Sequence, residues 1–104
     1  MLFQLTMFPS AKSSRTASSS SAVAEVLDVI DRSGLPYRLG PMSTTIEGEW
    51  TKVMGVINKA RLRLRRKYPR LYISITIDDR IGAKKRLTGK IQSVERKLGR
   101  EVNK

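Results

Sequence analysis

Residues 71–78 read LYISITID, and their alternation decides the fold. Leu71, Ile73, Ile75 and Ile77 share one side of an extended chain, while Tyr72, Ser74, Thr76 and Asp78 share the other, because strand side chains point to alternate faces. Such a strand packs one face on a core and leaves the other available. Just before it, Pro69 stops a helical pattern in which Trp50, Val53, Met54, Ile57, Ala60 and Leu64 recur along one side. That helix begins after Gly48, with Glu49 near its start and Arg65, Arg66 and Lys67 at its end, in agreement with the helix macrodipole. Further back, residues 37–39 and 43–47 flank a Gly40-Pro41 turn and make a hairpin.

Working outward again, Ala22, Val23, Val26, Leu27 and Ile30 form the apolar stripe of a first helix starting near Ser21. Gly34 ends it and Pro36 prevents its resumption. In residues 2–8, Phe3, Leu5 and Met7 alternate with Gln4, Thr6 and Phe8, which predicts a first strand. A loop over 79–86 leads to a last helix carrying Leu87, Ile91, Val94 and Leu98. The order β-α-β-β-α-β plus a C-terminal helix predicts an α+β, ferredoxin-like sandwich. Two helices would cover one face of a four-stranded antiparallel sheet, in a single domain over residues 1–104 with a Ser-rich loop at 10–21.

Composition narrows the chemistry. The chain has no Cys and no His, which excludes disulfides, thiolate chemistry, most zinc sites and the usual general base. No run of apolar residues is long enough to span a membrane. Residues 1–24 contain no acid and many serines, yet the first stretch alternates like a strand and its basic residues follow the apolar ones. That is the wrong order for a secretory signal, and the expected location is cytoplasmic.

The formal charge is +12, from 21 Lys and Arg against 9 Asp and Glu. Residues 58–70 hold seven bases and no acid. The run from Lys59 to Arg70 could grip nucleic-acid phosphates, and it could equally be a solvated helix end. Only Tyr72 and Phe8 are placed to stack on bases, so nucleic-acid binding through this run is expected to be weak, non-specific and salt-dependent.

The outward positions of the strands tell a different story. Gln4, Thr6 and Phe8, then Ser43, Thr45 and Glu47, then Tyr72, Ser74, Thr76 and Asp78 should line the face away from the helices. This inventory holds hydroxyls, an amide, aromatic rings and two carboxylates, and is expected to lack Lys and Arg. It suits a small cationic or hydrogen-bond-rich ligand; the plain alternative is a solvated or subunit-facing sheet surface. Asp78 and Asp79 would point apart as neighbours on a strand and could share an ion only if the strand has ended, and Glu47 and Glu49 have no evident nucleophile or base beside them. No catalytic residue, no metal and no enzymatic activity are therefore expected.

The stretch SGLPYRL at 33–39, continuing as GPMSTTIEGEW at 40–50, resembles the signature of the thiamine-binding protein family, small ferredoxin-like proteins related to the YkoF-type domains. The segment YISITIDDR at 72–80 is similar to the family's last strand, and residues 89–100 to its C-terminal helix. Departures are the Ser-rich loop and the unusually basic second helix. The resemblance implies binding of thiamine or hydroxymethylpyrimidine without turnover, on the open sheet face of a homo-oligomer, a tetramer built from dimers. No further cofactor is implied. Carried onto matching positions, it favours Ser43, Thr45 and Glu47, with Asp78 from the last strand and Ser10 after the first as further candidates.

Overall fold

The computed structural model describes residues 1–10, 19–82 and 86–99. Its elements run β1 (Leu2–Pro9), α1 (Ser19–Arg32), β2 (Tyr37–Leu39), β3 (Thr44–Glu47), α2 (Trp50–Arg65), β4 (Leu71–Asp78) and α3 (Arg86–Leu98). The strands form one antiparallel sheet in the order β2-β3-β1-β4, so the two β-α-β halves interleave as the ferredoxin-like arrangement requires. Most of the Ser-rich loop, residues 11–18, lies outside the described residues, as do 83–85 of the connection to α3.

The core follows from the two periodicities. Phe3, Leu5 and Met7 from β1 and Ile46 from β3 face Ala22, Val26 and Ile30 of α1 and Val53, Ile57, Ala60 and Leu64 of α2, and all are buried. Each large side chain here contributes about 1.5–3 kcal/mol by leaving water. Leu71, Ile75 and Ile77 pack on the same core but stay partly exposed, because β4 is an edge strand.

Local chemistry sets the element ends. α1 stops at Gly34, whose φ of +78° is the left-handed conformation that a glycine adopts without steric cost. In the β2–β3 turn, Gly40 N–H donates to the Ser43 carbonyl at 2.8 Å, and a Cβ at Gly40 would stand 3.0 Å from that oxygen. The turn therefore favours glycine, and it leaves Ser43 one residue short of β3 rather than inside it.

Three expectations need correction here. Ile73, placed by alternation with Leu71, Ile75 and Ile77, is 38% exposed and does not join them on the core, because β4 is the outer strand of the sheet. α1 begins two residues before Ser21. Trp50 is 52% exposed instead of buried with its helix face; it occupies the first turn of α2, where its ring reaches only the margin of the core and tilts against Phe3 at 6.1 Å.

Ion pairs tie the two helices together on their outer side. Arg63 of α2 reaches Asp28 at 2.6 Å and Glu25 at 3.5 Å, and Lys67 reaches Glu25 at 3.2 Å. Asp28 also accepts from Arg32, one helical turn on, at 3.1 Å.

Candidate functional site

Strand register turns the outward residues into cross-strand rows, since paired residues project to the same face. Glu47, Leu2 and Asp78 form one row across β3, β1 and β4. The next row is Arg38, Thr45, Gln4 and Thr76, across all four strands. Thr6 pairs with Ser74, and Phe8 with Tyr72, whose rings stack with centroids 5.4 Å apart. The face is thus graded, with carboxylates at one end, hydroxyls and an amide in the middle, and aromatic rings at the other.

The expectation that this face carries no Lys or Arg is overturned. The sequence inventory left out β2, and pairing with Thr45 brings Arg38 onto the face. Arg70, just before β4, lays its guanidinium 5.0 Å from the Tyr72 ring centroid, a cation–π contact.

Glu47 points away from buried Ile46, as its alternation predicts, but it is not simply presented to solvent. Its Oε1 accepts the backbone N–H of Leu87 at 3.4 Å, in the first turn of α3. The third helix therefore meets the carboxylate end of the open face. A carboxylate at a helix N-terminus is favoured by both hydrogen bonding and the helix dipole.

Ser43, Thr45 and Glu47 fall in file along one line of the face. Ser43 Oγ accepts from Gln4 Nε2 at 3.0 Å, which ties the hairpin to the central strand. Asp78 lies across Leu2 from Glu47, two strand spacings or about 10 Å away. Ser10 follows the opposite end of β1, about 26 Å along the strand from Leu2, where its N–H donates to the Arg70 carbonyl. One compact ligand does not span Ser10 and the Glu47–Asp78 row together.

The sequence did not reveal a notch beside Ser43. β3 begins only at Thr44, opposite Leu5, so β1 runs on from Thr6 with a strand partner on the β4 side alone. The turn at 40–43 swings clear and leaves a cavity of about 310 Å³ between β1, α1 and the turn. Leu5, Met7, Val23 and Val26 wall it, Thr6, Phe8 and Ser43 border it, and no charged residue lines it. Its size and its mainly apolar lining with a few hydroxyls match small-molecule sites. The available signal was the unequal length of β1 and β3; the wall residues themselves read as ordinary core.

Among the described residues, no three His, Cys, Asp or Glu side chains gather as a metal-ligand set. Nor is any of their helices long and apolar enough to cross a membrane.

The sequence pattern of thiamine-binding proteins matches residues 3–95. The chain belongs to the thiamine-binding protein family. It is 38% identical over 77 residues to UPF0045 proteins of Mycobacterium bovis and Mycobacterium tuberculosis, covering 73% of this chain and 76% of theirs. Among solved structures, a hypothetical protein of Methanocaldococcus jannascii superposes with a TM-score of 0.77 at 19% identity, over 89% of this chain and 93% of that one. A Thermotoga maritima protein, named as a candidate thiamine biosynthesis/salvage protein, gives 0.76 at 20% identity over 89% and 96%. A Bacillus cereus domain of unknown function gives 0.74 at 26% identity over 88% and 86%. These likenesses carry the ferredoxin-like fold of the family. The family match spans residues 33–50 together with α1, α2 and, but for Leu2, all four strands.

Proposed function

We propose that this protein binds thiamine or a thiamine-related pyrimidine without turning it over. The observation that carries the reading, beside family membership, is the uncharged notch opening next to the hydrogen-bonded Gln4–Ser43 pair. The pyrimidine ring enters the notch against Phe8 and the apolar wall. The Ser43 and Thr6 hydroxyls and the Gln4 amide answer its ring nitrogens and amino group. The remainder of the ligand runs along the open face toward Thr45 and the Glu47–Asp78 row, whose carboxylates favour a cationic ring. Glu47 stands about 13 Å along the strand from Ser43, so with the pyrimidine in the notch its charge acts on the cationic ring across a gap rather than by contact. Ser10 lies beyond the other end and serves the notch only from outside.

The active form in this reading is a homo-oligomer, a tetramer built from dimers. β4 offers an unpaired outer edge in the described sheet, and Tyr72 and Ile73 on it are exposed. The work of such a protein is storage, delivery or sensing of the vitamin. Binding to nucleic acid is the less favoured reading, because the basic residues Lys59, Arg61, Arg63 and Arg65 belong to α2 while Phe8 and Tyr72 lie on the opposite face of the sheet, where Arg70 of the run reaches Tyr72. Most of the phosphate contacts would then fall on a different surface from the base stacking.

Calorimetric titration with thiamine, its phosphates and hydroxymethylpyrimidine tests this directly, with a polyanion beside them as control. Saturable binding of at least one of these compounds at one site per chain is expected. Heat from the polyanion alone overturns the proposal.

A further inference from the structure

We propose that the outer groove between α1 and α2 docks an acidic amphipathic helix of a protein partner. The groove has a volume of about 430 Å³ and lies in the helical layer, away from the notch and the open face. Val29, Val56 and Leu62 give it an apolar floor, and Arg32, Lys59, Arg63 and Arg66 surround that floor with cations. From Val56 to Arg66 it follows α2 for about 15 Å, nearly three helical turns.

The cations divide into two kinds. Arg63 and Arg32 are held by Asp28, which fixes the wall of the groove. Lys59 and Arg66 have no ion-pair partner among the described residues, and they stand on either side of Leu62, which is 49% exposed. Leu62 does not stand alone there, since Val29 and Val56 line the same groove and give the charges a contiguous apolar floor. A polyanion gains nothing from an apolar floor. A helix with an apolar stripe and acidic flanks satisfies both features, seating its ridge between α1 and α2 while its carboxylates meet Lys59 and Arg66. The chain's own acidic helix does not fit this role, because Glu25, Asp28 and Asp31 on α1 are already engaged by Arg63, Lys67, Arg32 and Tyr37.

The test is fluorescence polarisation on the full chain, with a labelled synthetic peptide whose leucines recur at helical spacing between glutamates. A scrambled peptide of the same composition and a short DNA duplex serve as comparators. The double variant Lys59→Gln/Arg66→Gln should weaken the amphipathic peptide by about tenfold. Leu62→Ser should weaken it by about threefold or more, and Lys59→Arg/Arg66→Lys should bind like the parent. Circular dichroism melts of each variant establish that the fold is kept. Equal binding of the scrambled peptide, or full retention in Leu62→Ser, overturns the proposal and leaves only a polyanion-binding surface. Thiamine titration reads the notch separately, so either proposal can fail alone.

Discussion

Glu47 and Leu87 are joined by a hydrogen bond in which the carboxylate Oε1 accepts the backbone N–H at 3.4 Å. The contact links β3 to the first turn of α3 across forty residues of sequence. It gives Glu47 a structural task independent of any ligand, and the two tasks can be separated by experiment.

Glu47→Gln keeps an acceptor oxygen and removes the charge. The loss of the carboxylate beside the α3 N-terminus should cost about 0.3–1 kcal/mol, lowering the melting temperature by a few degrees. If Glu47 also draws the cationic ring of thiamine, affinity for thiamine falls by about two- to threefold at low salt while hydroxymethylpyrimidine is unaffected. Parallel melting and titration curves separate the two effects. A change confined to melting assigns Glu47 to α3 alone.

Ser43→Ala removes the hydroxyl that borders the notch and accepts from Gln4. If Ser43 bonds the ligand, a hydrogen bond of about 0.5–1.5 kcal/mol is lost, and both thiamine and hydroxymethylpyrimidine should bind about three- to tenfold more weakly. Calorimetry on the variant measures it. Ser74→Ala, on the same face but away from the notch lining, should leave both affinities intact.

Arg38 shares the open face with Thr45, so it repels a cation bound there. Arg38→Gln should tighten thiamine by about two- to threefold at low salt, an advantage that shrinks as salt screens the charge. Uncharged hydroxymethylpyrimidine should not respond. Titrations at two ionic strengths are sufficient.

Acid should weaken the α1–α2 contact. Hydrogen bonds from Arg63 and then Arg32 hold the Asp28 carboxyl below its ordinary value of 3.8. A carboxyl with a depressed folded pKa stabilises the fold above its unfolded pKa, and that contribution is lost as pH falls through the lower folded value. Melting temperature should therefore drop as pH falls below 3.8. Arg63→Gln, which removes the largest cause, should melt lower at neutral pH and lose less on acidification.

Ile73 lies on the exposed edge strand. If copies of the chain meet along β4, Ile73→Lys places a charge at the junction and shifts the light-scattering mass toward the monomer. An unchanged mass moves the contact to another surface.

How far the sequence reaches is clear from particular residues. The alternation in β4 and β1 and the helical stripes of α1 and α2 determined the element order and most of the core, Ile73 and Trp50 excepted, because burying one face imposes a period on the chain. The same alternation placed Ser43, Thr45 and Glu47 on one face before any register was known. Residues 33–50 suggested the family, whose pattern matches residues 3–95 as a whole. Arg38 escaped because a three-residue strand has too few positions for alternation to assign a face; pairing with Thr45 did so.

What only the tertiary structure decided depends on where one element ends against another. The notch exists because β3 starts at Thr44 while β1 runs to Pro9, and a strand's own residues do not state where its neighbour stops. The Glu47–Leu87 bond depends on where α3 comes to rest, and the groove of Lys59 and Arg66 on the angle between two helices. Periodicity is a local property that the sequence contains. Cavities and long-range hydrogen bonds arise from distances between elements, which packing sets.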